Sequence, residues 1–471
     1  MTLSEPSMTT HSMTTRRDFL RASLFASAAA LAPTRDATGA VPWWWTTPGR
    51  DPATGLSDVP DRLPIEWYRR NIGRFQQALG TAGLDGMLCK DQWNIVYLSG
   101  YFHSTTERPA ALWVPVQGEP SLFVPGLDRD LAGSWWIRDV EYYFDFPQAE
   151  DDGDPRAGSV ASPRGTVDLW LWMLRGLDRR GFGAKRIGLD WDAPESQLAK
   201  FRDTLKVATF RHAGDIPMGM RVVKTPEEVA LTQRAIDYHD QILEFCRRYV
   251  LQHGTDASDF DVRHAAEAFG TELVLKDIKR DGRPHTAVGV NVSVGCRTGV
   301  GTAYPHPNQF FHARIRRGDA IQFSGVMVRI GGYGGEGYRA CHIAPMTEPQ
   351  KKLWDVHTEM TLAQQEWSKA GVECRAVAAK VLEIARRAGL ERYAYHRPAH
   401  GAGMEGHQKP YVSLGDTTVM AEGMMFSNEP GLYDPQGGYG YNHSNNLLIT
   451  KERGVQMNKT PLTREWCWLT L

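Results

Sequence analysis

Apolar and polar positions along this chain follow two different periods. From Pro64, apolar residues recur at Trp67, Ile72, Phe75 and Leu79, the spacing of a helix with one buried stripe. Gly83 ends that pattern, and Asp85-Gly86-Met87-Leu88-Cys89 opens a buried strand. A further element runs from Asn94 and stops at Gly100-Tyr101, and apolar runs at residues 111–116 and 121–124 have the spacing of a β-meander. Residues 151–165 are polar and rich in Gly and Pro, as a surface loop is. A helix around residues 167–177 and a strand at 186–189 complete a first α/β domain over 63–218. The second part, 219–471, opens on a strong helix start: Thr225 is placed as N-cap, Pro226 at the first helical position and Glu228 to close a capping box. That helix is expected to reach about Tyr249. Helical patterns return at 259–269, 350–369 and 374–388, with Gly-rich strands between them and more strands after Ala394. The alternation predicts an α+β domain with helices packed on one curved antiparallel sheet. No nucleotide-binding loop and no internal repeat is present.

Composition removes several classes of function. The chain has 471 residues, a soft prior for two or three domains. Lys plus Arg number 54 against 55 Asp plus Glu, so no global field draws nucleic acid or an anionic membrane. Apolar residues at 42% exclude wholesale disorder. No stretch reaches the roughly 18–20 apolar residues that span a bilayer. The six cysteines (Cys89, Cys246, Cys296, Cys341, Cys374 and Cys467) are scattered, without C-x-x-C, and read mostly as small buried residues; a disulfide stays open. Arg16-Arg17 precedes Phe19-Leu20 and a modest apolar run at 24–32, the order of a twin-arginine export signal. Residues 1–40 are therefore expected to be removed near Ala40, placing the mature chain in the periplasm or outside the cell. Residues 41–62, with Trp43-Trp44-Trp45, read as an irregular arm.

Three segments carry candidate chemistry. His396, His400 and His407 stand at offsets of 0, 4 and 11, punctuated by Gly401 and Gly403. In a strand, offsets 0 and 4 share a face, and histidine is a ligand or proton carrier near neutrality. Glu429 closes an apolar strand just before Pro430-Gly431. The stretch from Gly318 through Arg339 reads as a β-hairpin with Glu336 buried next to Arg339.

Together these segments resemble the creatinase/aminopeptidase P/prolidase (M24) group, which shares the "pita-bread" fold with methionine aminopeptidase. The resemblance covers nearly all the chain after residue 60. It includes Arg74 and Asn94-Ile95-Val96-Tyr97-Leu98-Ser99-Gly100 in the first domain, and Arg221-Val222-Val223-Lys224-Thr225-Pro226-Glu227-Glu228 at the junction. It implies that Pro305-His306-Pro307 holds a proton-transfer histidine, that His400 and Glu429 fall on metal-ligand positions, and that His396 and His407 are cleft histidines. Family peptidases hold two metal ions with two aspartates, one histidine and two glutamates. Here Ser324 stands at the first aspartate position, Glu336 at the second, and Ser444 at the last glutamate; Asn442 replaces a neighbouring arginine. Only Glu336, His400 and Glu429 remain as ligands, for no ion or for one (Zn, Mn or Fe).

The resulting expectation is an exported hydrolase that cleaves a C–N bond in a small nitrogenous compound, as creatinase does without metal. In that reading His306 transfers the proton, assisted by His396 and His407, while Glu336, Glu429 and Arg339 hold substrate. The alternatives are a single-metal Xaa-Pro-type aminopeptidase or dipeptidase, a lyase of the dimethylsulfoniopropionate type, and a non-catalytic binding protein. The resemblance also implies a homodimer, in which residues 102–108 or the tryptophan arm of one subunit roof the cleft of the other.

Overall fold

The computed structural model describes residues 62–103, 105–143, 168–277, 289–306 and 313–471. The twin-arginine segment, residues 41–61 of the tryptophan arm, the 151–165 loop and Pro307 lie outside the described residues. In the first domain, helix α1 (Ile65–Thr81) buries Trp67, Ile72, Phe75 and Leu79, the stripe expected of it. Each such side chain contributes roughly 1.5–3 kcal/mol by leaving water. Strands β1 (Gly86–Cys89), β2 (Ala111–Pro115) and β3 (Ser121–Pro125) form the expected antiparallel meander. The element from Asn94 is a helix, α2 (Gln92–Ser99), capped by the Asp91 side chain and ended by Gly100 at φ 71°. Strand β4 (Asp139–Tyr143) joins β3 in parallel, and β5 (Arg186–Leu189) and β6 (Thr209–His212) extend the other side of β1. The sheet order is β4-β3-β2-β1-β5-β6. Alternating residues feed two cores. Met87, Leu112 and Val114 pack with α1, while Leu88, Trp113 and Phe123 pack with Trp172 and Leu177 of α3 (Leu169–Arg179).

A short helix, α4 (Asp215–Val222), crosses residue 218, and α5 (Pro226–His253) begins the second domain. The capping box at Thr225 and Glu228 is formed as expected, and Trp67 Nε1 also donates to Thr225 Oγ1 at 3.1 Å. Thr225→Ala removes both interactions. It is expected to cost about 1–2 kcal/mol in urea unfolding, with Thr225→Ser recovering most of that.

Helix α6 (Asp259–Asp277) precedes β7 (Asn291–Thr298), β8 (Ala320–Ile330), β9 (Tyr333–Gly334) and β10 (Gly337–Ile343). Helices α7 (Glu348–Trp367) and α8 (Cys374–Arg387) follow. Strands β11 (Ala399–Gly401), β12 (Gln408–Val412), β13 (Met425–Asn428), β14 (Leu432–Asp434), β15 (Tyr439–Tyr441), β16 (Asn445–Ile449), β17 (Gly454–Gln456) and β18 (Trp468–Leu469) complete the domain. The single curved sheet expected from the sequence is instead two five-stranded sheets and a separate β14–β15 pair. One sheet orders β18-β10-β8-β7 with β9 on β8; the other orders β12-β11-β13-β16-β17. A bridge between Tyr338 and Ser444 joins them, and β18 runs parallel to β10. Short strands broken by Gly and by bulges cannot sustain one continuous ladder.

Candidate active site

Each site side chain is placed by its strand. In β11, His400 pairs with Ser427 of β13 and Tyr411 of β12, so it is enclosed by ladders on both sides and fully buried. Glu429 directly follows β13, and its amide donates to the Pro398 carbonyl at 2.9 Å. Glu336 lies in the turn between β9 and β10. Asn446 Nδ2 donates to the Glu336 carbonyl at 2.9 Å. A Cβ on Gly335 would come within 1.9 Å of Asn446 Oδ1, so this close approach requires glycine there.

The result is a tight polar cluster. His400 Nε2 stands 3.0 Å from Glu429 Oε1 and 3.9 Å from Glu336 Oε2. Tyr338 Oη donates to Glu336 Oε2 at 2.9 Å. The His407 ring lies 4.1 Å from that of His400, centroid to centroid. Ligand-type atoms of Glu336, His400, His407 and Glu429 all fall within 4.8 Å of one another.

Charges here are coupled by burial. Desolvation first, then the Glu429 carboxylate, push the Glu336 carboxyl up to about 7. Burial also opposes ionisation of Glu429, but His400 outweighs it and holds that carboxyl below its ordinary value. Burial alone would lower His400; the two carboxylates reverse this and raise it. His407 is lowered, by desolvation first and then by His400.

The tautomer of His400 indicates what the cluster can hold. Its Nδ1 lies 3.0 Å from the Gly401 carbonyl, which can only accept, so Nδ1 carries a proton. Nε2 is buried, lacks a well-aligned hydrogen bond and faces two carboxylates. A lone pair in that position requires either a proton or a cation. Two carboxylate and two imidazole donors fit one divalent ion. Ser324 and Ser444 add no charge: Ser324 lines the cavity, and Ser444 Oγ shares a 2.9 Å hydrogen bond with Ser427 Oγ.

A cavity of about 500 Å³ opens beside the cluster, and His306, His396, His407 and Glu429 all line it. The fold thus brings His306, His396, His407 and Glu429 to one cavity. His306 is exposed at the cavity. His396 is held from both sides, with Nδ1 2.8 Å from the Arg397 carbonyl and Nε2 3.0 Å from Tyr433 Oη. His407 comes within reach of the ligand set, a position the sequence reading did not give it.

Arg339 is a correction. It is fully buried, and its guanidinium bonds the carbonyls of Tyr338, Ser444, Thr460 and Pro461, not Glu336 or the cavity. Along a strand, residues two apart share a face, so Glu336 partners Tyr338 while Arg339 turns away. The Glu-x-Tyr spacing was the available signal for Tyr338. Phe102 packs against Gly289 and Gly332, where an added Cβ would overlap its ring.

A second arrangement ties the His407 loop to the first domain. Arg221, 2% exposed, donates to Asn94 Oδ1 at 2.9 Å and forms a close ion pair with Glu405, two residues before His407.

Comparison with known proteins agrees with this architecture. Residues 230–451 match Metallopeptidase family M24, and residues 71–223 match the Creatinase/Prolidase N-terminal domain. The chain is 26% identical over 411 residues to the probable dipeptidase PepE of Mycobacterium bovis, covering 85% of this chain and 96% of that protein. It is 25% identical over 279 residues to the Xaa-Pro dipeptidase of Pyrococcus horikoshii, covering 59% and 74%. The prolidase structure from Thermococcus sibiricus superimposes with a TM-score of 0.68 at 22% identity, over 86% of this chain and 99% of that one, a likeness of fold. Fold, domain pair and sequence agree: the chain belongs to the M24 metallopeptidase family, with the creatinase/prolidase N-terminal domain ahead of its pita-bread domain.

Proposed function

We propose that this hydrolase cleaves the amide bond of a short peptide, as a dipeptidase or Xaa-Pro peptidase that works with one divalent ion. The observation that carries this reading is the convergence of Glu336, His400, His407 and Glu429, the last two of which line a cavity of dipeptide size. Creatinase-like cleavage, the leading expectation from the sequence, gives way to the peptidase alternative, because the matched relatives are dipeptidases and Xaa-Pro dipeptidases. Glu336, His400 and Glu429 would hold the ion, with His407 as a fourth donor. An ion bound there supplies a Lewis acid for the scissile carbonyl and makes a bound water more acidic. The chain's own groups do the rest. Tyr338 fixes one Glu336 oxygen, Tyr433 fixes the His396 ring, and His306 at the open side of the cavity carries the proton from water to the leaving amine.

Two ions are not supported by this donor set, since Ser324 and Ser444 supply no anionic oxygen. Elemental analysis of the purified protein is expected to find one divalent ion per chain at most, and chelation to abolish peptide hydrolysis. Two tightly held ions would refute the single-ion site. A second reading rests on the 3.0 Å contact of His400 with Glu429, which an imidazolium–carboxylate pair satisfies without metal. Full peptidase activity in metal-free protein would select it.

A further inference from the structure

Two of the six cysteines stand side by side. Trp468 of β18 pairs with His342 of β10 in parallel register, so Cys467 and Cys341 are the residues just before that pair. Their thiols are hydrogen-bonding partners, and both residues are fully buried. Facing positions on adjacent strands lie about 5 Å apart, within the Cα separation that a disulfide spans. Both are free thiols in this structure.

In the closed fold this pair is inert. Burial first, then Cys467, raises the Cys341 thiol well above its ordinary range. Two guanidiniums work in the opposite direction, since Arg339 and Arg247 both favour the Cys341 thiolate. Arg339 thus stands beside the thiols, having no place at the cavity. What shields the pair is the end of the chain. β18 is a two-residue strand at the edge of its sheet, and the helix before it has four residues, Arg464–Cys467. Arg464 anchors that helix to Asp355 at 2.6 Å, with both side chains exposed. Trp466 Nε1 adds a bond to Glu244 Oε2 at 3.0 Å, and Arg247 Nε one to the Trp466 carbonyl at 2.9 Å. A short edge element held in this way opens at lower cost than the core, and opening admits an oxidant while Arg339 stays with β10.

We propose that Cys341 and Cys467 form a disulfide that fastens the C-terminal segment to β10. The oxidant is a low-molecular-weight disulfide of the glutathione type. One thiolate of the pair attacks a sulfur of that oxidant, which forms a mixed disulfide and releases one thiolate. The second cysteine gives up its proton, attacks the protein sulfur of the mixed disulfide and releases the other thiolate. Two electrons and two protons leave the pair, and the oxidant becomes two thiols. The bond closes a long loop, from β10 to the end of the chain, and long loops constrain the unfolded state most. β10 also carries Tyr338, whose hydroxyl holds Glu336, so the fastened strand is one that supports the candidate metal site.

The test incubates the full-length protein with glutathione disulfide and counts its thiols after denaturation without reductant. The count is expected to fall from six to four, and peptide mapping to find one cross-link, Cys341 to Cys467. Stability should move with it. The unfolding equilibrium constant in urea is expected to fall by on the order of 100-fold, and dithiothreitol to reverse the change. Six remaining thiols, a cross-link between other cysteines, or glutathione adducts alone would overturn the proposal. A Cys341–Cys467 cross-link that leaves the urea midpoint in place overturns the fastening. Cys467→Ala should lose both the cross-link and the stability shift, and a shift of wild-type size in that variant overturns the assignment. The thiol count and peptide map of the unaltered protein decide the matter even if Cys467→Ala does not fold. No readout here involves peptide hydrolysis, so the proposal stands or falls apart from the peptidase reading.

Discussion

Alanine in place of His306 is expected to lower kcat by about 10²–10⁴-fold while leaving the metal content of the protein unchanged. His306 lines the cavity and is exposed there, and it lies outside the Glu336–His400–His407–Glu429 cluster. That is where a proton carrier belongs, facing substrate and free of the ligand set. His407 differs: its ring lies 4.1 Å from that of His400, and His400 helps to lower its pKa. His407→Ala should therefore weaken metal affinity first, and excess divalent ion should restore much of its turnover. The same addition should not restore His306→Ala. Two measurements, kcat and bound metal by elemental analysis, separate the roles. Near-wild-type kcat in a folded His306→Ala variant would move proton transfer elsewhere.

Acid is expected to unfold this protein unusually early. Four histidines are buried as neutral rings: His239 and His342 are each lowered to about 4, His357 to about 3, and His443 is lowered as well, desolvation being the main cause in each. Their neighbours offer little help. His443 faces His357 and Arg339, and His239 faces Arg329 and Asp237. Each folded-state value lies below the ordinary value of 6.5. The unfolded chain therefore takes up protons that the native state refuses, and the stability present above about pH 6.5 is lost as pH falls. Each such group removes stability between pH 8 and pH 5, on the order of 2 kcal/mol where its folded value lies near 4. Burial raises Glu228 and Glu336, and the adjacent carboxylates raise His400; these three act with the opposite sign and offset part of the loss. A net fall of even a few kcal/mol is a large share of the stability of a typical domain. Urea unfolding at pH 8, 6.5 and 5 measures it directly, and a midpoint that does not move across that range would remove the effect.

Much of this was legible in the sequence where short-range rules decide. The α1 stripe, the capping box at Thr225 and the β1–β3 meander follow from spacing and local chemistry, and each formed where expected. The convergence of His306, His396, His400, His407, Glu336 and Glu429 was legible through the resemblance that carried their order along the chain. What escaped was set by long-range geometry. The split into two sheets depends on where bulged, Gly-rich strands stop pairing. Arg339 was misplaced because nearness in sequence to Glu336 was taken for nearness in space, although the strand turns the two apart. Arg297 gave no signal at all, since only the fold places its guanidinium in the cavity wall, bonded to the Tyr304 and Pro305 carbonyls.

The bond network at Arg221 bears on how variant libraries of this enzyme should be interpreted. Because that one guanidinium holds both Asn94 and Glu405, a substitution near the end of the first domain can tilt the loop that carries His407 without touching the cavity. Turnover defects would then map to Asn94, far from any reacting atom, and would combine non-additively with changes at Glu405. Expressed without its first domain, the pita-bread half would keep Arg221 only as an exposed, half-partnered cation. The two halves are thus a poor choice for shuffling between homologues unless Asn94, Arg221 and Glu405 travel together.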